Sequence, residues 1–342
     1  MAKKQVTFAD IAEYTGFSKT TISRYFNHPD SLTLENQEKI AKALDELGYK
    51  KNKLAKVLAN GKSEFVGIIV PNLYLHYYSE MLTQLLRSYS DYHYKFLVFV
   101  SDGGPEKEVQ YLDELMAYKI EGLIVLSHTL SSEKLASYNI PVIAIEREAE
   151  HICSVTTDNY MGGMQATSLL IRNQCDILIH INVHVPKNIP AYDRIRAFEE
   201  TCRDYHVPYE LNLNVSGDSY QELFEQMRVI FQDIDSKYSG QKKGIFLSND
   251  TYANIFLNLI FQKYNCLPDE YQIIGFDNSP IAAESIIPIT TVGQQINVIA
   301  QTTMELLVEQ MNEMKKRKPA PLQKPIHKKI TPVLIRRQTT GD

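Results

Sequence analysis

VTFADIAEYTGFSKTTISRYFN, residues 6–27, sets two short apolar-patterned segments on either side of a glycine turn. Thr7 is placed to cap a first helix, with Asp10 three residues on. That is a relative of the capping box, in which the first-turn side chain and the cap satisfy each other's donors. Its inward face is Phe8, Ile11 and Ala12. Tyr14-Thr15-Gly16-Phe17 makes the turn, with Gly16 where the backbone must go left-handed. Ser18 caps a second helix, Lys19 to about Asn27, whose inward face is Ile22 and Phe26. His28-Pro29-Asp30 ends it. Thr33 opens a third helix carrying Ile40, Ala43, Leu44 and Leu47 and closed by Gly48. Three helices, the first two joined by a glycine turn, predict a helix-turn-helix, a unit whose second helix enters the major groove of DNA.

Charge agrees with that reading only when the chain is divided. The 342 residues carry a formal net charge of −5, which by itself argues against nucleic acid. Residues 1–62 hold eleven Lys/Arg against seven Asp/Glu, and the remainder twenty-five against thirty-four. A head of +4 on a body of −9 implies that only the head meets phosphate. Between them lies NKLAKVLAN, residues 52–60, an amphipathic stretch below the length of about 12 residues at which an isolated helix holds in water.

Past Gly61 the pattern changes to strand-helix alternation. Phe65–Val70 is a continuous apolar run of the kind that buried parallel strands show. Similar runs follow at Phe96–Val100, Gly122–Leu126, Val142–Ile145, Ile177–Ile181, Gly244–Leu247 and Gln272–Phe276. Helical segments separate most of them, which implies right-handed crossovers and parallel sheets. Seven or more strands over this length fit two doubly wound subdomains better than one sheet. The Lys/Pro-rich run Lys315–Lys329 reads as an exposed connection before a last strand near Ile330–Ile335.

Other classes are disfavoured. No window holds eighteen uninterrupted apolar residues, so no membrane span is expected. The N-terminus lacks the apolar core of a secretory signal, which points to the cytoplasm. Cys153, Cys175, Cys202 and Cys266 are scattered without a Cys-x-x-Cys pair, so they read as reduced thiols. His180 and His184 sit on one face of a strand-like run about 13 Å apart, too far to share a metal. No Walker loop, Gly-x-Ser-x-Gly or Gly-x-Gly-x-x-Gly occurs. No catalytic site, metal or cofactor is expected. The rival from another class is a solute-binding receptor with no DNA role, which would need the secretory signal this chain lacks.

The head, together with LDELGYKKNKLAKVLANG (residues 44–61), resembles the lactose/galactose repressor (LacI/GalR) family of bacterial transcription regulators. Collinear landmarks extend the resemblance over nearly the whole chain: FVGIIVPN, EGLIVLS, NIPVIAIER, TDNYMGG, SNDTYA, IIGFDNSP, ITTVGQQ and LIRRQTT. It implies an all-α helix-turn-helix head (1–50), a hinge helix (51–61) and an α/β body resembling periplasmic sugar-binding proteins. The body would be two doubly wound parallel-sheet subdomains, 62–160 with 293–322 and 161–292 with 323–342. Its ligand would lie in the cleft between them, at the C-terminal ends of the strands.

The resemblance assigns base contact to Lys19, Thr20 and Arg24, and Arg and Lys donate well to guanine edges. Ser18, Thr21, Ser23, Asn27 and Ser31 are assigned to phosphates, which fix register without reading sequence. It makes Leu58 a wedge in the minor groove, with the small Ala55 letting the hinge lie close. Sugar hydroxyls need paired donors and acceptors and often an aromatic platform. The matching positions are Asp158, Arg194, Asn249, Asp277 and Gln294, with Tyr77, Tyr78 and Ser79 after the first body strand and Tyr220 as a second platform. Asp250 reads instead as the cap of the helix after Ser248-Asn249-Asp250. After Ile177–Ile181 the family has a glycine-containing turn, whereas this chain has NVHVPKNIPAYDR (182–194), so the loop there is reshaped. The expected partners are double-stranded operator DNA, a small-molecule effector such as a sugar, and a second copy in a homodimer, with no membrane. Effector in the cleft would change the angle between subdomains and so the pairing of the two hinges.

Overall fold

The structure is a computed structural model, and it describes residues 6–49, 63–101, 104–215, 219–316 and 324–341. The chain divides into two compact units, residues 1–62 and 63–342.

In the first unit the helices are α1 (Phe8–Thr15), α2 (Lys19–Asn27) and α3 (Leu34–Glu46). The capping box forms: Thr7 Oγ1 accepts from Asp10 N, and Asp10 Oδ2 accepts from Thr7 N at 2.7 Å. Gly16 takes φ +73° as the C-cap of α1, a conformation open to glycine without Cβ strain. Ser18 and Thr33 cap α2 and α3. Ile11, Ile22 and Ile40 are fully buried, one from each helix, within a ring of half-buried side chains that includes Phe8, Phe26 and Leu44. Truncating any of the three isoleucines to alanine would cost about 2–5 kcal/mol, a large share of what so small a core supplies.

The second unit holds two six-stranded sheets, ordered β11-β5-β4-β3-β1-β2 and β12-β10-β9-β8-β6-β7. The first contains β1 (Phe65–Val70), β2 (Lys95–Val100), β3 (Gly122–Val125), β4 (Val142–Ile145), β5 (Cys153–Thr157) and β11 (His327–Ile330). The second contains β6 (Ile177–Ile181), β7 (Tyr209–Asn212), β8 (Lys243–Leu247), β9 (Tyr271–Asp277), β10 (Thr290–Gly293) and β12 (Val333–Ile335). All pairings are parallel except β10 with β12. The apolar runs read from the sequence are strands, and four of them inside the sheets, β3, β4, β6 and β8, are buried throughout. Among the described residues no helix is long and apolar enough to cross a membrane.

The chain passes between the sheets three times. After β5 the helix Asn159–Arg172 joins the second sheet's core through Ala166, Leu169 and Leu170. After β10 the helix Ile296–Met314 returns to the first sheet's core through Ile299, Met304 and Leu307. The third passage departs from the sequence reading, which placed it between residues 322 and 323. Strand β11 pairs with β5, from His327 opposite Ser154 to Ile330 opposite Thr157, so 327–330 belongs to the first subdomain. The single last strand expected near Ile330–Ile335 is two strands in two sheets. Thr331-Pro332 separates them, and proline, with no N–H to give, cannot continue a ladder.

Candidate functional site

On α2 the side chains of Lys19, Thr20 and Arg24 are exposed and make no hydrogen bond or ion pair among the described residues. Thr20 and Arg24 lie on the side of the helix away from Ile22, which is fully buried, and Lys19 lies at its first turn. The other head residues have intramolecular partners. Ser18 Oγ accepts from Thr21 N at 3.1 Å and lies 2.9 Å from Thr21 Oγ1. Asn27 Nδ2 donates to Ser23 Oγ at 3.2 Å, and Ser31 Oγ to the His28 carbonyl at 2.6 Å. These bonds are local to the helix ends and leave each group at the surface. Ala55 and Leu58 lie outside the described residues.

In the body, a cavity of about 620 Å³ opens between the subdomains. Six of the expected effector residues line it: Tyr77, Tyr78, Arg194, Asn249, Asp277 and Gln294. Three do not. Ser79 Oγ donates to the His76 carbonyl within its own helix. Asp158 caps the 159–172 helix by accepting from Met161 N at 3.1 Å. Tyr220 is exposed at the start of the helix Tyr220–Lys237. The expected cap at Asp250 is also revised. Asn249 is the cap, accepting from Tyr252 N, while fully buried Asp250 accepts from Ser279 N at 2.7 Å, Ser279 Oγ and Thr291 Oγ1. Asp250 thereby ties β10 and the segment after β9 to the start of its helix.

The polar side of the cavity is one hydrogen-bonded chain running through two of the three passages between subdomains. Gln294 Nε2 donates to Asp277 Oδ1 at 2.6 Å, and Thr157 Oγ1 donates to Gln294 Oε1 at 2.7 Å. The Thr157 amide donates to Glu146 Oε1, and Asn159 Nδ2 donates to Glu146 Oε2 at 2.8 Å. Arg194 Nε donates to Asn159 Oδ1 and its Nη1 to the Ser248 carbonyl, both at 2.7 Å. The guanidinium carbon also stands 3.7 Å above the centre of the Phe276 ring. Gly162 and Gly163 allow this packing: a Cβ on Gly162 would meet the Phe276 ring at 2.8 Å, and one on Gly163 the Arg194 carbonyl oxygen at 2.9 Å.

Asp277 is 5% exposed and has φ +113°, a strained backbone for a non-glycine residue, at the C-terminal end of β9. Burial holds its carboxyl well above the usual carboxylate range; Asp250 adds to this and Arg194 opposes it. Glu146, at the end of β4, is likewise left-handed, with φ +52°. Tyr77 is 8% exposed, and its hydroxyl is buried with no hydrogen-bond partner in the described residues. Such an orphan costs about 1–3 kcal/mol unless a ligand or water meets it. Burial pushes that hydroxyl's pKa far up, so it stays a donor.

Sequence reasoning missed Glu146, Thr157 and Asn159, although the first is the next-to-last residue of NIPVIAIER and the others flank Asp158 in TDNYMGG. It also missed how much of the wall the reshaped loop supplies, from Asn182 to Ala191. His180 is fully buried against Phe246, and both ring nitrogens are engaged, Nδ1 with the Phe246 carbonyl and Nε2 with Asn182 Nδ2. Burial lowers its pKa to about 3, so the ring is neutral and structural.

A surface helix with free cationic side chains and a two-subdomain cavity with polar groups at strand ends define a ligand-responsive DNA-binding regulator. Family models agree along the chain: "Bacterial regulatory proteins, lacI family" over residues 7–52, "Periplasmic binding proteins and sugar binding domain of LacI family" over 63–182, and "Periplasmic binding protein-like domain" over 170–340. The sucrose operon repressor of Streptococcus mutans is 30% identical over 307 residues, covering 89% of this chain and 92% of that protein. The ribose operon repressor of Halalkalibacterium halodurans is 27% identical over 309 residues, covering 90% and 91%. Among solved structures, the Lac repressor dimer bound to operator superposes with a TM-score of 0.81 at 20% identity, covering 99% of this chain and 100% of that one. A regulator from Alkaliphilus metalliredigens complexed with D-xylulofuranose gives 0.70 at 26% identity, covering 82% and 100%. The chain belongs to the LacI family of bacterial regulatory proteins, which are DNA-binding transcription regulators and not enzymes.

Proposed function

We propose that this protein is a cytoplasmic repressor of a carbohydrate-utilisation operon. It binds a near-palindromic operator as a homodimer and is switched by a sugar in the cavity between its subdomains. The observation that carries this reading is the hydrogen-bonded chain from Asp277 to Ser248. Its donors and acceptors lie on both subdomains and join at the passages between them. A polyhydroxyl ligand that competes for those groups changes the relative free energy of two subdomain angles, which is all an effector needs to do. Asp277, Gln294, Arg194 and Tyr77 supply the donors and acceptors that sugar hydroxyls require.

On the DNA side, Lys19, Thr20 and Arg24 read base edges, and Ser18, Thr21, Ser23, Asn27 and Ser31 meet phosphates. Ala55 and Leu58 act at the centre of the operator, where an inserted apolar side chain bends the duplex. Two half-sites related by the dimer axis account for the palindrome. The sucrose and ribose operon repressors among its relatives support a sugar as the effector class.

The test is fluorescence anisotropy on a near-palindromic duplex against a scrambled one. Lys19→Ala and Arg24→Ala should each weaken specific binding by about 1–3 kcal/mol and leave binding to the scrambled duplex much less affected. Retention of full specificity in both variants would overturn the assignment of the head.

A further inference from the structure

The helix Ile296–Met314 leads from the effector cavity to the end of the body at which the chain of the first unit enters. Its 19 residues span about 28 Å. Just before its start, Gln294 holds Asp277 and Thr157. Gln295, left-handed with φ +52°, donates through Nε2 to the Thr331 carbonyl at 2.7 Å. Two adjacent glutamines therefore tie the second passage between subdomains to the first and to the third.

Just past the helix, Lys315 Nζ pairs with Glu121 Oε2 at 2.5 Å and donates to the Tyr94 hydroxyl at 3.0 Å. Tyr94 and Glu121 immediately precede β2 and β3, which run parallel to β1, so this is the end of the sheet opposite the cavity. The same Glu121 accepts from Glu64 N through Oε1 at 2.8 Å, one residue before β1. Ser63 Oγ donates to the Lys119 carbonyl at 2.5 Å, and Lys95 Nζ pairs with Glu64 Oε2 at 2.9 Å. One carboxylate thus joins the end of the helix to the first residues of the body. Its side chain is 11% exposed, so solvent and salt screen the pair less than they would an ion pair in open water.

Two features suit this path to pass movement on. The helix is pressed against the start of β3: a Cβ on Gly122 would meet Leu307 Cδ1 at 2.8 Å and Met311 Sδ at 2.9 Å. Ile299, Met304, Leu307 and Met311 are buried along its length, and close-packed elements shift as bodies instead of deforming. At the receiving end, Glu64 has φ +60°, a strained backbone for a non-glycine residue. Glu121 and Lys95 hold it there, so loosening that hold frees a residue kept from its preferred conformation.

We infer that Glu121 and Lys315 are positioning residues for the regulatory response: with the helix Ile296–Met314 they carry effector occupancy to Ser63 and Glu64, where the DNA-binding unit's chain joins the body. Neither residue lines the cavity. The inference rests on the repressor reading above and gives it a route. Gln294 meets the effector at one end, and the Glu121 carboxylate delivers the result at the other.

The experiment measures the coupling factor, the ratio of operator affinities without and with saturating sugar, on the full chain. The duplex is selected from a random library, and the sugar is whichever of D-glucose, D-fructose, D-ribose, sucrose, maltose and their phosphates raises the melting temperature. The parent is expected to give a factor of about 5- to 150-fold. Glu121→Gln and Lys315→Gln should each lower it by about threefold or more, while sugar affinity of the DNA-free protein stays within about twofold of the parent. The double variant should fall no further, because both substitutions break one link. The two change net charge in opposite directions, so a shared loss is not long-range electrostatics. Lys315→Arg, which keeps the pair, should retain the parental factor. Hydrogen exchange adds a local readout: sugar-dependent protection of amides 64–66 in the parent, lost in both glutamine variants. A parental factor in both, or a matching loss of sugar affinity without DNA, overturns this inference and leaves the repressor reading standing. A parent whose operator affinity no sugar changes overturns both.

Discussion

The DNA-facing helix and the effector cavity hold their polar groups in opposite conditions. On α2, Lys19, Thr20 and Arg24 stand in water with no partner among the described residues. In the cavity, Arg194, Asp277 and Gln294 are each under a tenth exposed and already bonded to one another's neighbours. The head reads a rigid polyanion that arrives with its own donors and acceptors, so free side chains cost nothing while they wait. The cavity must couple binding to a change between subdomains, and it can do so only if the groups that meet ligand also hold the subdomains together. Substitutions in the head should therefore separate function from stability, and substitutions in the cavity should not.

The comparison would break first at Arg194. Removing it leaves the Ser248 carbonyl and Asn159 Oδ1 without their donors and strips a cation from the Phe276 face. Arg194→Ala should destabilise the body by about 2–5 kcal/mol in urea unfolding and abolish sugar binding in calorimetry. Lys19→Ala should stay within about 0.5 kcal/mol of the parent in the same unfolding experiment. If Arg194→Ala unfolds like the parent, the polar chain does not hold the cavity together.

A pH profile sharpens the point. Burial raises Asp250 to about 7, against the hydrogen bonds from Thr291 and Ser279 that lower it. The unfolded value is about 3.9, so between these pH values the folded state holds a proton that the unfolded state has lost. That contribution to stability is complete below about pH 4 and disappears as the pH rises through 7. In Asp250→Asn the amide can still accept from Ser279 and donate to Thr291 Oγ1. Melting temperatures from pH 4.5 to 7.5 should therefore fall less steeply in the variant than in the parent; parallel profiles would contradict the assignment. The smallest effect is expected at Tyr220, which lies off the cavity: Tyr220→Ala should change stability and sugar affinity by less than about 0.5 kcal/mol.

Much of this was legible in the sequence because the signals are local. Thr7 with Asp10, Gly16, and Ser18 before an apolar i, i+4 pair fix the head from neighbours in the chain. Most inner strands, and the edge strand β2, announce themselves as unbroken apolar runs. The strands β5, β7, β10 and β11 do not. Tyr209–Asn212 and His327–Ile330 are half or fully exposed, so nothing in their composition distinguishes them from loops. The third passage was misplaced for the same reason, since HKKI before Pro332 looks like solvated connection until β5 is seen beside it.

Within the cavity, side chains at strand C-termini were predictable because topology puts them there. Asp277 and Gln294 belong to this group. Asp158 was drawn in by its motif, yet its neighbours Thr157 and Asn159 do the bridging, because the cap geometry turns Asp158 onto its own helix. Tyr220 had only its aromatic ring to recommend it, and an exposed ring at a helix start binds nothing by itself.

The central claim is that DNA and sugar compete or cooperate through one coupling free energy, carried by the chain that joins the two subdomains. The most direct measurement is a linkage square. Operator affinity is determined without and with the saturating sugar effector, and effector affinity on free and on operator-bound protein. The account predicts the same ratio along both edges, in the range of about 5- to 150-fold. A ratio of one along either edge, with both ligands bound, would contradict it.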